Sequence, residues 1–310
     1  MIKICGSASL RLCVKWFFFE DGPMIVSHPD QRRARWQASP ALIWLGLFFL
    51  LPLVLILLYS FQSRANDGTV NWTWTLDNYA KLLRDGSFWR TLWLSTWMAL
   101  VVTFITLIVS YPLAYWMATR PKRWRNLLLL AVMLPFWTNF LVRIYAWKVL
   151  LGNNGVLNQG LIGLGLQPLN IINSPAAVLL ALVYGELPYM ILPLYAALER
   201  FDWPQLEAAQ DLGASRLRAV WRVLIPQTIA GITAGSILVF VPTVGTFAVS
   251  DILGGTGGFM IGNLLDLHFR STPNWPYGAA ISMLFMVLLL GAIWLYFSVT
   301  REAIDGENPG

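Results

Sequence analysis

Charge is the scarcest property of this chain. Only 12% of its 310 residues are Asp, Glu, Lys or Arg, whereas 57% are apolar. A soluble domain carries about 25% charged residues, so a freely soluble globule is excluded. Cysteine is nearly absent: Cys5 and Cys13 both fall in the first 38 residues, too few and too local for a disulfide framework or a thiolate metal site. The two histidines, His28 and His268, have no partner at zinc-binding spacing and read as isolated surface residues. No GxxxxGK[ST] string occurs, so no P-loop cradles nucleotide phosphates. The glycine run GGTGG at 254–258 lacks the following lysine and reads as a flexible turn leading into an amphipathic helix over about 259–269. No nucleophile elbow is present. The chain is therefore expected to be no enzyme and to bind no cofactor or metal of its own.

What is present is a series of long apolar runs. No Asp, Glu, Lys or Arg occurs over 36–63, 91–119, 126–142, 149–185, 223–250 or 271–300. A helix crossing a bilayer needs about 20 mostly apolar residues, and the helix satisfies its own backbone in hydrocarbon. Barrel strands would be short and alternating, which these runs are not. The reading is an all-α, polytopic membrane protein with six transmembrane helices, roughly 41–61, 93–118, 127–149, 177–198, 229–250 and 277–298. A polar, Gly- and Asn-rich stretch at 152–174 precedes the fourth span and holds a short amphipathic piece near 156–166. Prolines 52, 112, 135, 188, 193 and 242 fall inside spans, where each removes a backbone hydrogen bond and can kink its helix. Gly231 and Gly235 form a GxxxG that permits close helix approach, either within the subunit or against a partner.

Orientation follows from Lys and Arg. With both termini inside, segments 1–39, 119–126, 199–228 and 299–310 hold fifteen of them, and the outer segments 62–92, 151–175 and 251–276 hold five. The N- and C-termini are therefore expected in the cytoplasm, and the basic net charge reflects the bilayer rather than nucleic acid. Residues 1–38 read as a cytoplasmic tail: the apolar run at 16–19 is too short to span, a cleaved signal peptide is the other reading but would want a small-residue cleavage site after a longer apolar core, and Met24 is an alternative first residue. Residues 39–298 form the permease domain and 299–310 a cytoplasmic tail.

Between the fourth and fifth spans, residues 207–226 read EAAQDLGASRLRAVWRVLIP. Asp202 and Gln205 have capping-box spacing, and Pro204 fits a first turn, so a helix is expected over 203–211. Gly213 supplies the turn that ends it. Ser215 caps a second helix over 216–224, with Leu217, Val220, Trp221 and Leu224 on one face, and Pro226 stops or bends it. The product is a helix–turn–helix knob whose small Ala208 and Ala209 let it enter a groove. Its motif residues, Glu207, Ala208, Ala209, Asp211, Gly213, Ser215 and Pro226, resemble the EAA loop of ABC importer permeases.

Further strings extend the resemblance: LPFWTN at 134–139 with RIYAW at 143–147, GVLN at 155–158, LPLYAA at 192–197, DILGG at 251–255 and NWPYGA at 274–279. Together they resemble the permease subunits of spermidine/putrescine importers over about 44–294. The resemblance implies a type I ABC importer permease fold in a bacterial inner membrane. It also implies a heteromeric complex: this chain, a second permease, an ABC ATPase dimer that uses ATP and Mg, and a periplasmic polyamine-binding protein.

A small polycationic substrate calls for carboxylates and aromatic faces. Ionisable residues inside a membrane are costly and usually face a cavity. Glu186, mid-way along the fourth span with Tyr184 and Tyr189 near it, is the leading pathway candidate; its other reading is an interhelical hydrogen bond. Asp251 and Asp266 near the outer side, and Trp137 beside Pro135, are further candidates. Arg143 and Lys148 are expected to snorkel to the headgroups; facing the passage, they would repel a polycation.

Overall fold

The computed structural model describes residues 28–65 and 69–305. Its regular structure is helical apart from a two-residue antiparallel ladder between β1 (Ser63–Arg64) and β2 (Val70–Asn71). The chain divides into residues 1–55 and 56–310, and the core belongs to the second unit. Cys5, Cys13 and Met24 lie outside the described residues. Helix α1 (His28–Ser60) starts well before the expected residue 41, and its stretch Ser39–Ser60 is long and apolar enough to cross a membrane.

After a short amphipathic helix, α2 (Asp77–Arg84), comes the 33-residue α3 (Gly86–Ala118). It packs with α7 (Pro175–Glu199) and α10 (Ile229–Gly245) as a mutually contacting trio. Met98, Val102 and Ala114 from α3, Met190 and Leu194 from α7, and Val239 from α10 meet in the main core. Small residues make the approach possible. A Cβ on Gly231 would lie 2.6 Å from the Ala197 Cβ and 2.8 Å from the Pro193 carbonyl oxygen, and one on Gly235 would lie 2.7 Å from the Met190 sulfur. The GxxxG therefore packs within this subunit, on α7.

The third expected span, 127–149, is not one helix. Helix α4 (Lys122–Met133) tightens into a 3₁₀ turn (Leu134–Trp137), the chain breaks, and α5 (Phe140–Leu151) and α6 (Val156–Gly163) follow. The axes of Lys122–Trp137 and Phe140–Gly163 differ by 85°. Pro135 lacks the N–H that would continue the ladder. Thr138 is extended, and the Asn139 side chain caps the new helix by accepting from the Leu141 N–H at 2.8 Å. The fifth span likewise ends at Gly245 rather than 250, because Thr246 turns extended before α11 (Ala248–Leu253) begins. The last helix, α13 (Trp275–Asp305), continues into the segment expected as a C-terminal tail.

The glycine run is not a loose turn. The Cβ missing from Gly254 would sit 2.6 Å from the Ser250 carbonyl oxygen, and that from Gly258 2.6 Å from the Gly254 Cα. The Ser250 hydroxyl lies between the Gly258 carbonyl and Asn263 Oδ1, and the Ile261 N–H donates to Ser95 on α3 at 2.7 Å. That network seats α12 (Ile261–Asp266), which continues as a π turn, Leu267–Ser271. Asn158, buried in α6, similarly organises the polar stretch before α7: it donates to the Gly152 and Leu169 carbonyls and accepts from the Leu169 N–H.

Candidate functional site

At the end of the bundle where α3 and α7 finish, the chain forms the expected knob. Helix α8 (Trp203–Asp211) matches the reading from Pro204 and the turn residues. Its N-terminus differs: Asp202 makes no side-chain cap, and the Gln205 amide donates to the Asp202 carboxylate at 3.3 Å instead of closing a reciprocal box. Its C-terminus is a Schellman turn. Gly213 has φ +89°, its N–H donates to the Gln210 carbonyl, and the Ala214 N–H donates to the Ala209 carbonyl. Glycine adopts that conformation without the penalty a Cβ imposes. Ser215 then caps α9 (Arg216–Gln227), accepting from the Arg218 N–H at 3.4 Å.

Helix α9 departs from the expected face. Residues Val220–Leu224 form a π turn ahead of Pro226, and the helix ends only at Thr228, where its axis and that of Ile229–Gly245 differ by 69°. The wide turn shifts the register, so Ala219 and Leu224 are buried whereas Leu217 and Trp221 are 70% and 64% exposed. One side of the knob is fastened. Leu206 is buried, Trp203 packs edge-on against Tyr115 at 5.7 Å and Phe201 at 5.3 Å, and Gln227 donates to Gln205 at 2.6 Å. The Arg125–Glu199 pair at 3.6 Å and the contact between the Tyr111 and Thr228 hydroxyls hold the same end. The other side is open. Glu207, Ala208, Asp211, Gly213 and Ser215 are exposed, Ala209 and Pro226 are half-buried, and Leu212 is 90% exposed. Leu212, Leu217 and Trp221 thus offer apolar surface among charged neighbours, which the α-helical period alone assigned otherwise or passed over.

A cavity of about 350 Å³ lies between α5, α7 and the C-terminal part of α10. Of the pathway candidates, Glu186, Tyr184 and Tyr189 line it together with Arg143 and Trp147. Tyr184 stacks on Phe136 at 6.1 Å and meets Trp147 edge-on at 5.6 Å. Arg143, expected to reach for the headgroups, instead has its guanidinium 4.4 Å over the Phe136 ring and lines the cavity. The bend after Asn139 redirects the first turn of α5, which a continuous span would have aimed elsewhere. Lys148 is exposed. Trp137 is 75% exposed and outside the lining, Asp251 is exposed on α11, and Asp266 pairs with Arg270 at 3.3 Å. The structure does not gather these three at the cavity.

At the other end of α3, Asp85 accepts from the Ser87 N–H and from the Tyr277 hydroxyl, both at 2.9 Å. His268 is half-buried with its ring 4.9 Å from that of Tyr277, so it is a packed residue rather than an isolated surface one. Burial pulls the His268 pKa below the ordinary imidazole value, while the Asp85 charge acts in the opposite sense. For Asp85, desolvation acts upward, but donation by Tyr277 and Ser87 outweighs it and the carboxyl lies below its usual value. A histidine kept neutral by burial contributes stability above its unfolded pKa of about 6.5 and loses it as pH falls through the folded value. The Asp85 contribution persists to the lower pH at which carboxylates protonate. Amide exchange over Leu267–Ser271, corrected for intrinsic rate, should therefore rise between about pH 7.5 and 5.5. The rise should vanish in His268→Gln; the same pH response in both proteins contradicts this.

A family model described as "binding-protein-dependent transport system inner membrane component" matches residues 110–303. The spermidine/putrescine transport system permease protein PotB of Escherichia coli (strain K12) is 42% identical over 260 residues, covering 83% of this chain and 94% of that protein. PotB of Haemophilus influenzae is 41% identical over 260 residues, covering 83% and 91%. The inner membrane ABC transporter permease protein YdcU of Escherichia coli (strain K12) is 34% identical over 280 residues, covering 85% and 88%. Among solved structures, a chain of a bacterial alginate ABC transporter in complex with an alginate pentasaccharide-bound periplasmic protein superposes with a TM-score of 0.73 at 14% identity, over 88% of this chain and 97% of that one. A second alginate importer structure gives a TM-score of 0.67 at 16% identity, over 88% and 98%.

Proposed function

Because this chain belongs to the binding-protein-dependent transport system inner membrane component family, we propose that it is the membrane-spanning permease of an ATP-driven ABC importer for polyamines. It crosses the membrane several times. Six crossings result if each bent pair counts as one span, and the excess of Lys and Arg on alternate segments supports cytoplasmic termini in a bacterial inner membrane. The observation that carries the reading is the knob. It is tied to α3 and α7 on one side and presents Leu212, Leu217 and Trp221 with the EAA residues on the other. Such a surface suits the groove of an ATPase dimer, and hydrolysis of ATP with Mg falls to that partner because no P-loop is encoded here.

In the proposed cycle a periplasmic polyamine-binding protein delivers the cargo to this chain and a second permease. ATP binding moves the knob, and the spans rock between outward and inward access. The similarity to PotB supports a spermidine or putrescine cargo, and the cavity offers Glu186 and the rings of Tyr184, Trp147 and Tyr189. Glu186→Gln should lower spermidine uptake by about 10- to 100-fold, since a charge-assisted hydrogen bond contributes roughly 1.5–3 kcal/mol, with chain abundance unchanged. Full uptake by this variant removes Glu186 from the pathway.

Arg143 in the same cavity favours a second reading, an importer of another small solute that carries an anionic group beside its amine. Competition decides: spermidine and putrescine should block labelled spermidine uptake, and amino acids or simple anions should not. The opposite ranking overturns the polyamine assignment.

A further inference from the structure

Glu186 and Arg143 face one cavity from two helices and leave each other unsatisfied. Oε2 of Glu186 and Nη1 of Arg143 are buried with no hydrogen-bond partner among the described residues. The two do not form an ion pair within 4.0 Å; the pairs found among the described residues are Arg125–Glu199 and Arg270–Asp266. Instead the guanidinium rests on aromatic rings, 4.4 Å from the centre of Phe136 and 5.9 Å from that of Phe140. The cavity, about 350 Å³, falls within the range of about 300–1,000 Å³ typical of small-molecule pockets.

The chemistry of the two groups gives this arrangement a direction. A guanidinium stays cationic at any working pH, stacks readily on aromatic faces, and forms a planar fork that fits a carboxylate. Arg143 sits in the first turn of α5, just after the break at Thr138–Asn139, on a long side chain with room in the cavity. An uncompensated charge inside a membrane is costly, so an ionised Glu186 is stabilised by a cation, and Arg143 lines the same cavity. A carrier must also release what it binds: a site serves passage only if binding is weak enough to be undone. A carboxylate walled by aromatic rings, acting alone, would retain a polyamine.

We propose that Arg143 is a tethered rival of the cargo. While an ammonium group of the transported amine occupies Glu186, Arg143 rests on Phe136 and Phe140. As the cargo departs, Arg143 swings onto Glu186 and takes its place. The displacement keeps the carboxylate compensated and lowers the affinity of the cavity for polyamine. The inference rests on the polyamine reading of this site, and it gives the one cation that faces the cavity among the described residues a role in release.

The test is direct binding of labelled spermidine to the assembled importer in nanodiscs, without nucleotide, together with ATP-driven uptake. Arg143→Gln should bind spermidine at least about tenfold more tightly than wild type and take it up more slowly; Arg143→Gln with Glu186→Gln should lose the gain, as expected of two coupled groups. A purely structural role for Arg143 predicts impaired uptake with no rise in affinity, and that result overturns the proposal. If Arg143→Gln does not assemble, Phe136→Leu decides. Removing the resting face should drive Arg143 toward Glu186 and weaken spermidine binding several-fold, and unchanged binding overturns the proposal. A wild-type importer that transports no spermidine refutes the polyamine reading itself, an outcome distinct from normal wild-type transport with no gain in Arg143→Gln.

Discussion

Gly213→Val should lower uptake at least about tenfold while leaving membrane insertion intact. The residue has φ +89°, and an L-residue in the left-handed region costs roughly 1–2 kcal/mol, more when it is β-branched and stiff at χ1. Nothing lies within 4 Å of where its Cβ would be, so the penalty comes from the backbone and not from a clash. Relief comes only by rotating the turn, which swings α8 against α9 and displaces Leu212, Glu207 and Asp211 from a common surface. The span helices are untouched, so the protein should still reach the membrane. Its co-purification with the ATPase and its uptake should fall by at least about tenfold. Asparagine tolerates positive φ, so Gly213→Asn should retain most activity. Equal losses in both variants would mean that glycine serves for its smallness, and normal uptake in Gly213→Val would contradict the coupling role.

Gly231→Val should act on stability instead. The added Cβ alone would stand 2.6 Å from the Ala197 Cβ and 2.8 Å from the Pro193 carbonyl oxygen, and the second obstacle is backbone. Overpacking of this kind costs about 1–3 kcal/mol and sometimes more, and α10 must move away from α7. Since α3 packs on both, the trio loosens as a unit. Folded, assembled protein should fall several-fold in detergent, and its thermal midpoint should drop by several degrees (about 2–4 °C per kcal/mol for a chain of this size). Ala197→Gly in the same chain should restore only part of the loss, because the Pro193 carbonyl remains. Full rescue would mean that the Pro193 carbonyl is no obstacle, and no effect of Gly231→Val would place the GxxxG elsewhere than on α7.

The contrast between these two glycines shows what the sequence disclosed. The knob was legible because its punctuation is local: Pro204 opens α8, Gly213 closes it and Ser215 starts α9, all within a dozen residues. The π turn at Val220–Leu224 left no such mark, and with it the outward turn of Leu217 and Trp221 was hidden. Span existence was legible from the missing charge, but span continuity was not. Leucine-rich sequence reads alike on both sides of Thr138–Asn139, and the signals of the break, Pro135 and the capping Asn139, lie inside an apolar run. Burial was less legible still, because lipid and protein interior are equally apolar. The usable signal was the small residues: Ser95, Ala99, Val102, Thr106, Ser110 and Ala114 recur at helical spacing along the buried face of α3. Glu186 was found because a carboxylate in a span is rare. The direction of Arg143 is not legible in the sequence, because it depends on the break that precedes it.

The account turns on coupling to an external ATPase, and uptake by the reconstituted importer tests that most directly. Labelled spermidine should accumulate inside proteoliposomes against its gradient only while ATP is supplied on the side of the Glu207–Pro226 knob, and should stop when the partner ATPase is made unable to hydrolyse it. Uptake that proceeds equally without ATP, or a purified assembly with no ATP-hydrolysing subunit, would contradict it.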